Sequence, residues 1–269
     1  MTTWGAGDYP LMARHLESAA RAAVEIAAVE SGDRVLDVAT GTGNAALLAA
    51  EKGGQVVGTD FEPALLEVAE QRATDSRLQV RWLTGDLASL PVPDESADVV
   101  LSVFGVMYAA DQAAAARELA RVAASGARVV LAAWVPDSVM PAMGQVLGGY
   151  LPPPPPSSGP PSRWGDPDAL AELLGSCGLN LIEVSQQRVT LQFPDAAAGA
   201  GFLIRTAGHV VSEQERLTAE GRWENLRQDL TCFVDERGER SDGRLDLQLD
   251  YLLASATKPG EDQSAIAHR

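Results

Sequence analysis

Five short runs of apolar and β-branched residues recur through the first half of the chain, at 34–38, 55–59, 79–83, 97–103 and 127–133. Runs such as Arg-Val-Leu-Asp-Val and Ala-Asp-Val-Val-Leu-Ser-Val are nearly continuous rather than alternating, which reads as strands buried on both faces of a parallel sheet. Between them, residues 44–52, 63–73 and 112–124 are rich in Ala, Leu and Glu at helical spacing. Pro63 suits a first helical position and Asp111 an N-cap. Strand–helix alternation of this kind predicts βαβ units with right-handed crossovers, hence a doubly wound α/β sheet. One more helix is expected before the first strand. Met12, Leu16, Ala19, Ala20, Ala23 and Ala27 repeat at steps of one, three and four, with Pro10 near the start and Gly32 past the end.

Beyond residue 135 the pattern changes. Residues 152–161 hold seven of the 16 prolines and read as an exposed polyproline connector. Asp166-Pro167 opens a helix expected to run to Cys177-Gly178, and residues 180–193 alternate as a strand. Residues 196–238 read as two helices split near His209 to Ser212, and residues 244–257 as a closing strand.

Composition narrows the function classes. With 37 Asp+Glu against 21 Lys+Arg in 269 residues, the formal charge is −16, which disfavours a nucleic-acid partner. No apolar run approaches the roughly 20 residues of a membrane span, and the first ten residues lack a signal peptide's charged start. A cytoplasmic protein is expected. Cys177 and Cys232 are isolated, which argues against a disulfide framework or a thiolate metal site.

The informative segment is Val35-Leu-Asp-Val-Ala-Thr-Gly-Thr-Gly-Asn-Ala-Ala46, where a buried strand runs through Gly41 and Gly43 into a helix. Glycines there permit a tight turn and close ligand approach, and the helix presents free N–H groups. Gly41-x-Gly43-x-x-Ala46 also satisfies the loose dinucleotide fingerprint. Asp60 ends the second strand and can accept both hydroxyls of a ribose. Asp86 follows the third strand and can accept from an adenine amino group. Placed at the ends of neighbouring strands, these carboxylates mark a ligand site at the sheet's carboxyl edge. Asp37, four residues before Gly41, would repel a pyrophosphate but suits a cationic ligand, which disfavours a nicotinamide oxidoreductase.

As a set these residues resemble the class I S-adenosylmethionine-dependent methyltransferases, nearest in pattern to the branch of ubiquinone/menaquinone-biosynthesis and natural-product enzymes. That family's first motif reads here Asp37-Val38-Ala39-Thr40-Gly41-Thr42-Gly43, with Ala39 in place of the first glycine. The resemblance implies a seven-stranded, mostly parallel Rossmann-like sheet, its last strand antiparallel, with a helical cap. It divides the chain into an N-terminal cap helix (1–30), a cofactor-binding core (31–135) and a remainder (136–269) carrying substrate insertions at 136–165 and 195–240.

The same resemblance implies S-adenosylmethionine as cofactor and S-adenosylhomocysteine as product, held by Tyr9, Asp37, Ala39, Gly41, Gly43, Asp60, Phe61, Gly85, Asp86, Leu87, Val103 and Phe104, with no metal. Asp60 would bind the ribose, Phe61 would pack on the adenine, and the backbone at Val103-Phe104-Gly105 would touch the methionine moiety. The expected partner is a small apolar or aromatic acceptor, with no nucleic acid or membrane, and a homodimer is compatible. His209 is the candidate general base if the acceptor is a hydroxyl, while Tyr150, Trp164 and Trp223 are candidates to line its pocket. A fold that keeps the cofactor for a non-methylating task, such as a cyclisation, stays open.

Overall fold

The computed structural model describes residues 4–153 and 159–260. Most of the polyproline connector, residues 154–158, and the C-terminal residues 261–269 lie outside the described residues, as do residues 1–3.

The chain opens with α1 (Tyr9–His15) and α2 (Glu17–Ile26), then alternates through β1 (Arg34–Val38), α3 (Asn44–Glu51), β2 (Gln55–Asp60), α4 (Pro63–Asp75), β3 (Val80–Thr84) and β4 (Ala97–Val103). It continues with α5 (Gln112–Val122), β5 (Ala123–Trp134), α6 (Val139–Gly148), α7 (Pro167–Gly175) and β6 (Asn180–Phe193). Four helices follow: α8 (Ala196–Thr206), α9 (Gly208–Val211), α10 (Gln214–Ala219) and α11 (Trp223–Arg237). A short β7 (Glu239–Ser241) turns into the long β8 (Arg244–Thr257).

The sheet order is β3-β2-β1-β4-β5-β8-β6, with β7 paired to β8. Strands β1 to β5 are mutually parallel, and β8 is antiparallel to β5 and to β6. The doubly wound sheet with an antiparallel last strand is therefore present, and the seven expected strands are joined by an eighth of three residues. The single N-terminal helix expected from the apolar repeat is two helices that meet at Leu16. Only α1 lies with the cap. The small residues of α2, Ala19, Ala20 and Ala23, pack fully buried on the sheet beside α3.

The centre of the sheet is dry because its strands are apolar on both sides, with Val99, Val100, Leu101, Val129 and Val130 having no accessible surface. Helices α2, α3 and α4 cover one face, and α5 and α7 cover the other. Asp111, Asp166 and Asp195 each accept the backbone N–H three residues on, and such caps contribute about 1 kcal/mol apiece. No helix bridges β3 to β4. The loop there is held by Arg121, which donates to the carbonyls of Leu90 and Val92 and pairs with Glu118 and Asp94.

The β6–β8 hairpin decides the shape of the far end. Trp134, the last residue of β5, pairs with Tyr251, so Arg188–Phe193 and Leu245–Asp250 extend past the rest of the sheet. Their apolar side, Val189, Leu191, Phe193, Leu245, Leu247 and Leu249, carries the helical insertion through α8 and α11. That insertion holds four helices where the sequence pattern suggests two, because the short α9 and α10 fill the region between α8 and α11.

Candidate functional site

The turn after β1 alternates left-handed and ordinary residues: φ is +53° at Ala39, +55° at Gly41 and +84° at Gly43. One oxygen of the buried Asp37 carboxylate, Oδ2, takes the Thr40 hydroxyl at 2.5 Å and the Ala46 backbone N–H at 3.0 Å. A single atom thereby joins the turn to the start of α3. Burial pushes the Asp37 carboxyl up to about 7, against the lowering effect of the two donors, with the nearby Asp60 adding to the rise. From behind, Arg72 of α4 donates to the Thr42 carbonyl at 2.6 Å and to Asn44 Oδ1 at 2.8 Å. The Asn44 amide in turn donates to the Ala13 carbonyl at 2.6 Å.

Asp60, at the end of β2, accepts from Gly41 N–H at 2.8 Å through Oδ2 and from Glu62 N–H at 2.9 Å through Oδ1. It therefore positions the glycine turn as well as facing the cleft, and burial raises its pKa. Next to it Phe61 is 57% exposed, an aromatic face left open at the rim. Gly85 N–H donates to the Asp60 carbonyl at 3.0 Å, which brings the third strand's exit alongside. Asp86 is exposed and caps its own turn by accepting from Ala88 N–H at 2.7 Å, with Leu87 half-buried beside it.

The turn after β4 is tied to the turn after β1. The Ser102 hydroxyl donates to the Val38 carbonyl at 2.8 Å and accepts from Val106 N–H at 3.0 Å. Val103 is half-buried beside this turn. Phe104 holds a φ of +59°, and its ring turns inward to stack on Trp134 at 3.8 Å. A ligand at that position therefore meets its backbone and not its side chain.

Tyr9 forms the roof. A Cβ added at Gly41 would lie 3.4 Å from its ring, so the turn and the ring are in near contact. Its hydroxyl is pushed above the ordinary phenol range by burial first, then by Tyr108, Asp60 and Asp37, all close by. Asp8 N–H donates to the Arg205 carbonyl at 2.9 Å, which fastens this segment to α8.

The structure thus brings together Tyr9, Asp37, Ala39, Gly41, Gly43, Asp60, Phe61, Gly85, Asp86, Leu87 and the Val103–Phe104 backbone at one end of the sheet. His209 lies on α9, against the N-terminal segment, and burial lowers its pKa. The expected acceptor-pocket aromatics need correction. Trp164 is buried core, and Tyr150 sits in a surface cluster, bonded to Asp229 beneath the Arg222 guanidinium. Trp223 starts α11 and is half-buried. Sequence reasoning passed over Tyr108 and Trp134. The available signal was an aromatic residue at, or just beyond, the carboxyl end of a parallel strand.

The family profile described as a methyltransferase domain matches residues 36–131. Demethylmenaquinone methyltransferase of Thermus thermophilus is 33% identical over 177 residues, covering 60% of this chain and 80% of that protein. The chain belongs to the S-adenosylmethionine-dependent methyltransferases. An uncharacterized protein of Mycobacterium tuberculosis is 35% identical over 173 residues, a match that spans 64% of this chain and 63% of the relative. Among solved structures, the YcgJ protein from Bacillus subtilis superposes with a TM-score of 0.63 at 19% identity, covering 90% of this chain and 98% of that one.

The site fits the family's cofactor on its own chemistry. Its carboxylates, Asp37 and Asp60 within and Asp86 at the rim, match a ligand carrying a sulfonium and an ammonium. The Arg72 guanidinium is turned to the back of the glycine turn, where it serves the protein's own carbonyl and amide.

Proposed function

We propose that this methyltransferase transfers a methyl group from S-adenosylmethionine to a small apolar or aromatic acceptor. The observation that carries this reading is the pair of buried carboxylates, Asp37 and Asp60, set about a left-handed glycine turn at the sheet's carboxyl edge. The bound cofactor supplies an electrophilic methyl carbon. The residues of this chain align that carbon with the acceptor and exclude water. Asp37 and the turn would hold the methionine end, Asp60 the ribose, Phe61 the face of the adenine and Asp86 its edge. Tyr9 would close the site from above.

A hydroxyl acceptor must also lose a proton. His209 is our candidate for that step, because its lowered pKa keeps the imidazole neutral near pH 7 and ready to accept. An amine or an activated carbon needs no strong base there. The Thermus relative is a demethylmenaquinone methyltransferase, so an acceptor like demethylmenaquinone heads the list of compounds to try.

Calorimetry with S-adenosylmethionine, S-adenosylhomocysteine and NADH tests the cofactor half. Both sulfur ligands should bind, NADH should not, and Asp60→Ala should weaken binding by about 2–3 kcal/mol through loss of charge-assisted hydrogen bonds. Mass spectrometry of a metabolite panel incubated with methyl-labelled cofactor tests the transfer. Tight cofactor binding with no labelled product across the panel would favour a non-methylating use of the site.

A further inference from the structure

Along β8, positions 245, 247, 249 and 253 are leucine, and position 251 between them is tyrosine. Alternate residues of a strand share a face, so this row is one side of β8. The four leucines are buried, and Tyr251 is only 3% exposed. A fifth leucine would complete the row; the phenol instead brings a hydroxyl into it. That hydroxyl has no hydrogen-bond partner among the described residues, and the side chain makes ring contacts alone. Unlike Thr59 Oγ1 and Trp164 Nε1, which are sealed in without a partner, it keeps a little accessible surface, so a ligand can reach it. Tyrosines buried to this degree ordinarily satisfy the hydroxyl within the protein, and one that does not calls for a partner from outside.

The strand register places Tyr251 in the cleft. Asp37 of β1 lies opposite Leu101 of β4, and Leu101 lies opposite Val130 of β5. Trp134, four residues beyond Val130, is on the same face and pairs with Tyr251. Tyr251 therefore shares the face of Asp37, at the carboxyl end of β5. It stands at the step where β8 outruns β5, next to Leu245, Leu247 and Leu249 on the side that carries α8 and α11. Its ring meets Phe104 edge-on at 5.3 Å and Trp134 edge-on at 6.5 Å. Phe104 in turn belongs to the turn after β4, where a Cβ at Gly105 would sit 2.4 Å from the Ala39 methyl. One ring thus separates Tyr251 from the cofactor turn, and the leucines under the cap adjoin it on the other side. An acceptor has to lie between those two.

Burial raises the pKa of this phenol, so at neutral pH it keeps its proton and acts as a donor. We propose that the Tyr251 hydroxyl binds the acceptor by donating a hydrogen bond to an oxygen atom on it. The assignment rests on the methyl-transfer reading and narrows it to apolar acceptors bearing a hydroxyl or carbonyl oxygen, such as a phenol, a hydroquinone or a quinone. Tyr251 is then a specificity-determining residue whose role is distinct from that of His209: it holds an oxygen and takes no proton. A single donor among apolar walls decides which end of an apolar ligand faces the methyl group.

The test uses the full chain saturated with S-adenosylhomocysteine and two probes matched in size, 1-naphthol and 1-methylnaphthalene, which differ in the oxygen alone. Binding of each is measured by calorimetry in the wild type and in Tyr251→Phe, which keeps the ring. The variant should bind 1-naphthol about three- to tenfold more weakly, the range of one hydrogen bond, and 1-methylnaphthalene as well as the wild type does. Its affinity for S-adenosylhomocysteine should be unchanged. Its melting temperature should be level or higher, because the hydroxyl has no partner in the protein to lose. Equal 1-naphthol affinity in the two proteins, an equal loss for both probes, a lower melting temperature in the variant, or failure of the wild type to bind 1-naphthol would overturn the assignment. Failure of the wild type to bind S-adenosylhomocysteine would instead remove the methyl-transfer reading on which it rests.

Discussion

Ala39 holds a φ of +53°, a conformation that costs an L-residue roughly 1 kcal/mol and that glycine adopts freely. Its methyl occupies space left by the missing side chain of Gly105, 2.4 Å from where a Cβ there would sit. Relief of strain and loss of packing then nearly cancel, so Ala39→Gly should change stability by less than about 0.5 kcal/mol. Gly105→Ala should cost about 2–3 kcal/mol by overpacking, and about 1 kcal/mol less in the Ala39→Gly background. Urea denaturation of the four proteins measures the coupling; additive losses would show that the two positions are independent.

Asp37 gives a second residue-scale expectation. Its carboxyl is raised from 3.8 to about 7 in the folded chain, so between those values the native state holds a proton that the unfolded state has lost. Its contribution to stability is complete below the lower value, falls as pH rises to about 7, and is flat above. Because one oxygen takes both donors, Asn can replace Asp37 with its carbonyl on Thr40 and Ala46. Asp37→Asn should therefore gain on the wild type from pH 4 to pH 7, at up to about 1.4 kcal/mol per pH unit. In the wild type, cofactor affinity should weaken below pH 7, because the cationic ligand favours the ionised carboxylate. A variant with the same pH dependence as the wild type would show that Asp37 is ionised throughout.

At the scale of elements, α4 governs the cofactor turn through one side chain. Arg72 bonds the Thr42 carbonyl and the Asn44 amide oxygen, and burial lowers its pKa. Arg72→Met should cost about 2–3 kcal/mol, as for lost hydrogen bonds to a charged group. It should also speed amide exchange at residues 41–47 more than in β4 or β5. Uniform acceleration would mean that the clamp serves global stability alone. The elements themselves were legible to different degrees. Asp166-Pro167 marks the start of α7 because a capping carboxylate and a fixed φ act locally. The break at Leu16 and the four-helix division of 196–238 depend on what each stretch packs against.

At the scale of the whole molecule, the N-terminal segment spans the cleft. Gly5 sits against Ala64 and Glu62 on the α4 side, and Gly7 against Gly208 of α9. A side chain at Gly7 would place its Cβ 2.7 Å from the Gly208 backbone nitrogen. Gly7→Val should unseat this strap, speeding cofactor dissociation about tenfold or more while leaving the melting of the sheet nearly unchanged, as expected for a lid. Hydrogen exchange supplies the complement: S-adenosylhomocysteine should protect residues 5–15 and 202–212 in the wild type and much less in the variant. Equal protection in both would remove the strap from the binding step.

The sequence by itself determined the strands, their burial, the doubly wound core and the acidic glycine turn. Each of these follows from local periodicity or from residues a few positions apart, such as Asp37 and Gly41. It also carried the family, because Asp60 and Asp86 recur at strand ends that the alternation had already marked. Only the tertiary structure decided where the later chain goes. The extension of β6 and β8 past Trp134 creates the support for the cap, and no local pattern encodes how far two antiparallel strands outrun a third. Only folding brings Phe104 onto Trp134, Gly208 to Gly7 and Ala39 to Gly105. Those contacts join residues tens to hundreds of positions apart, and they depend on packed volume and burial, which are properties of the assembled molecule.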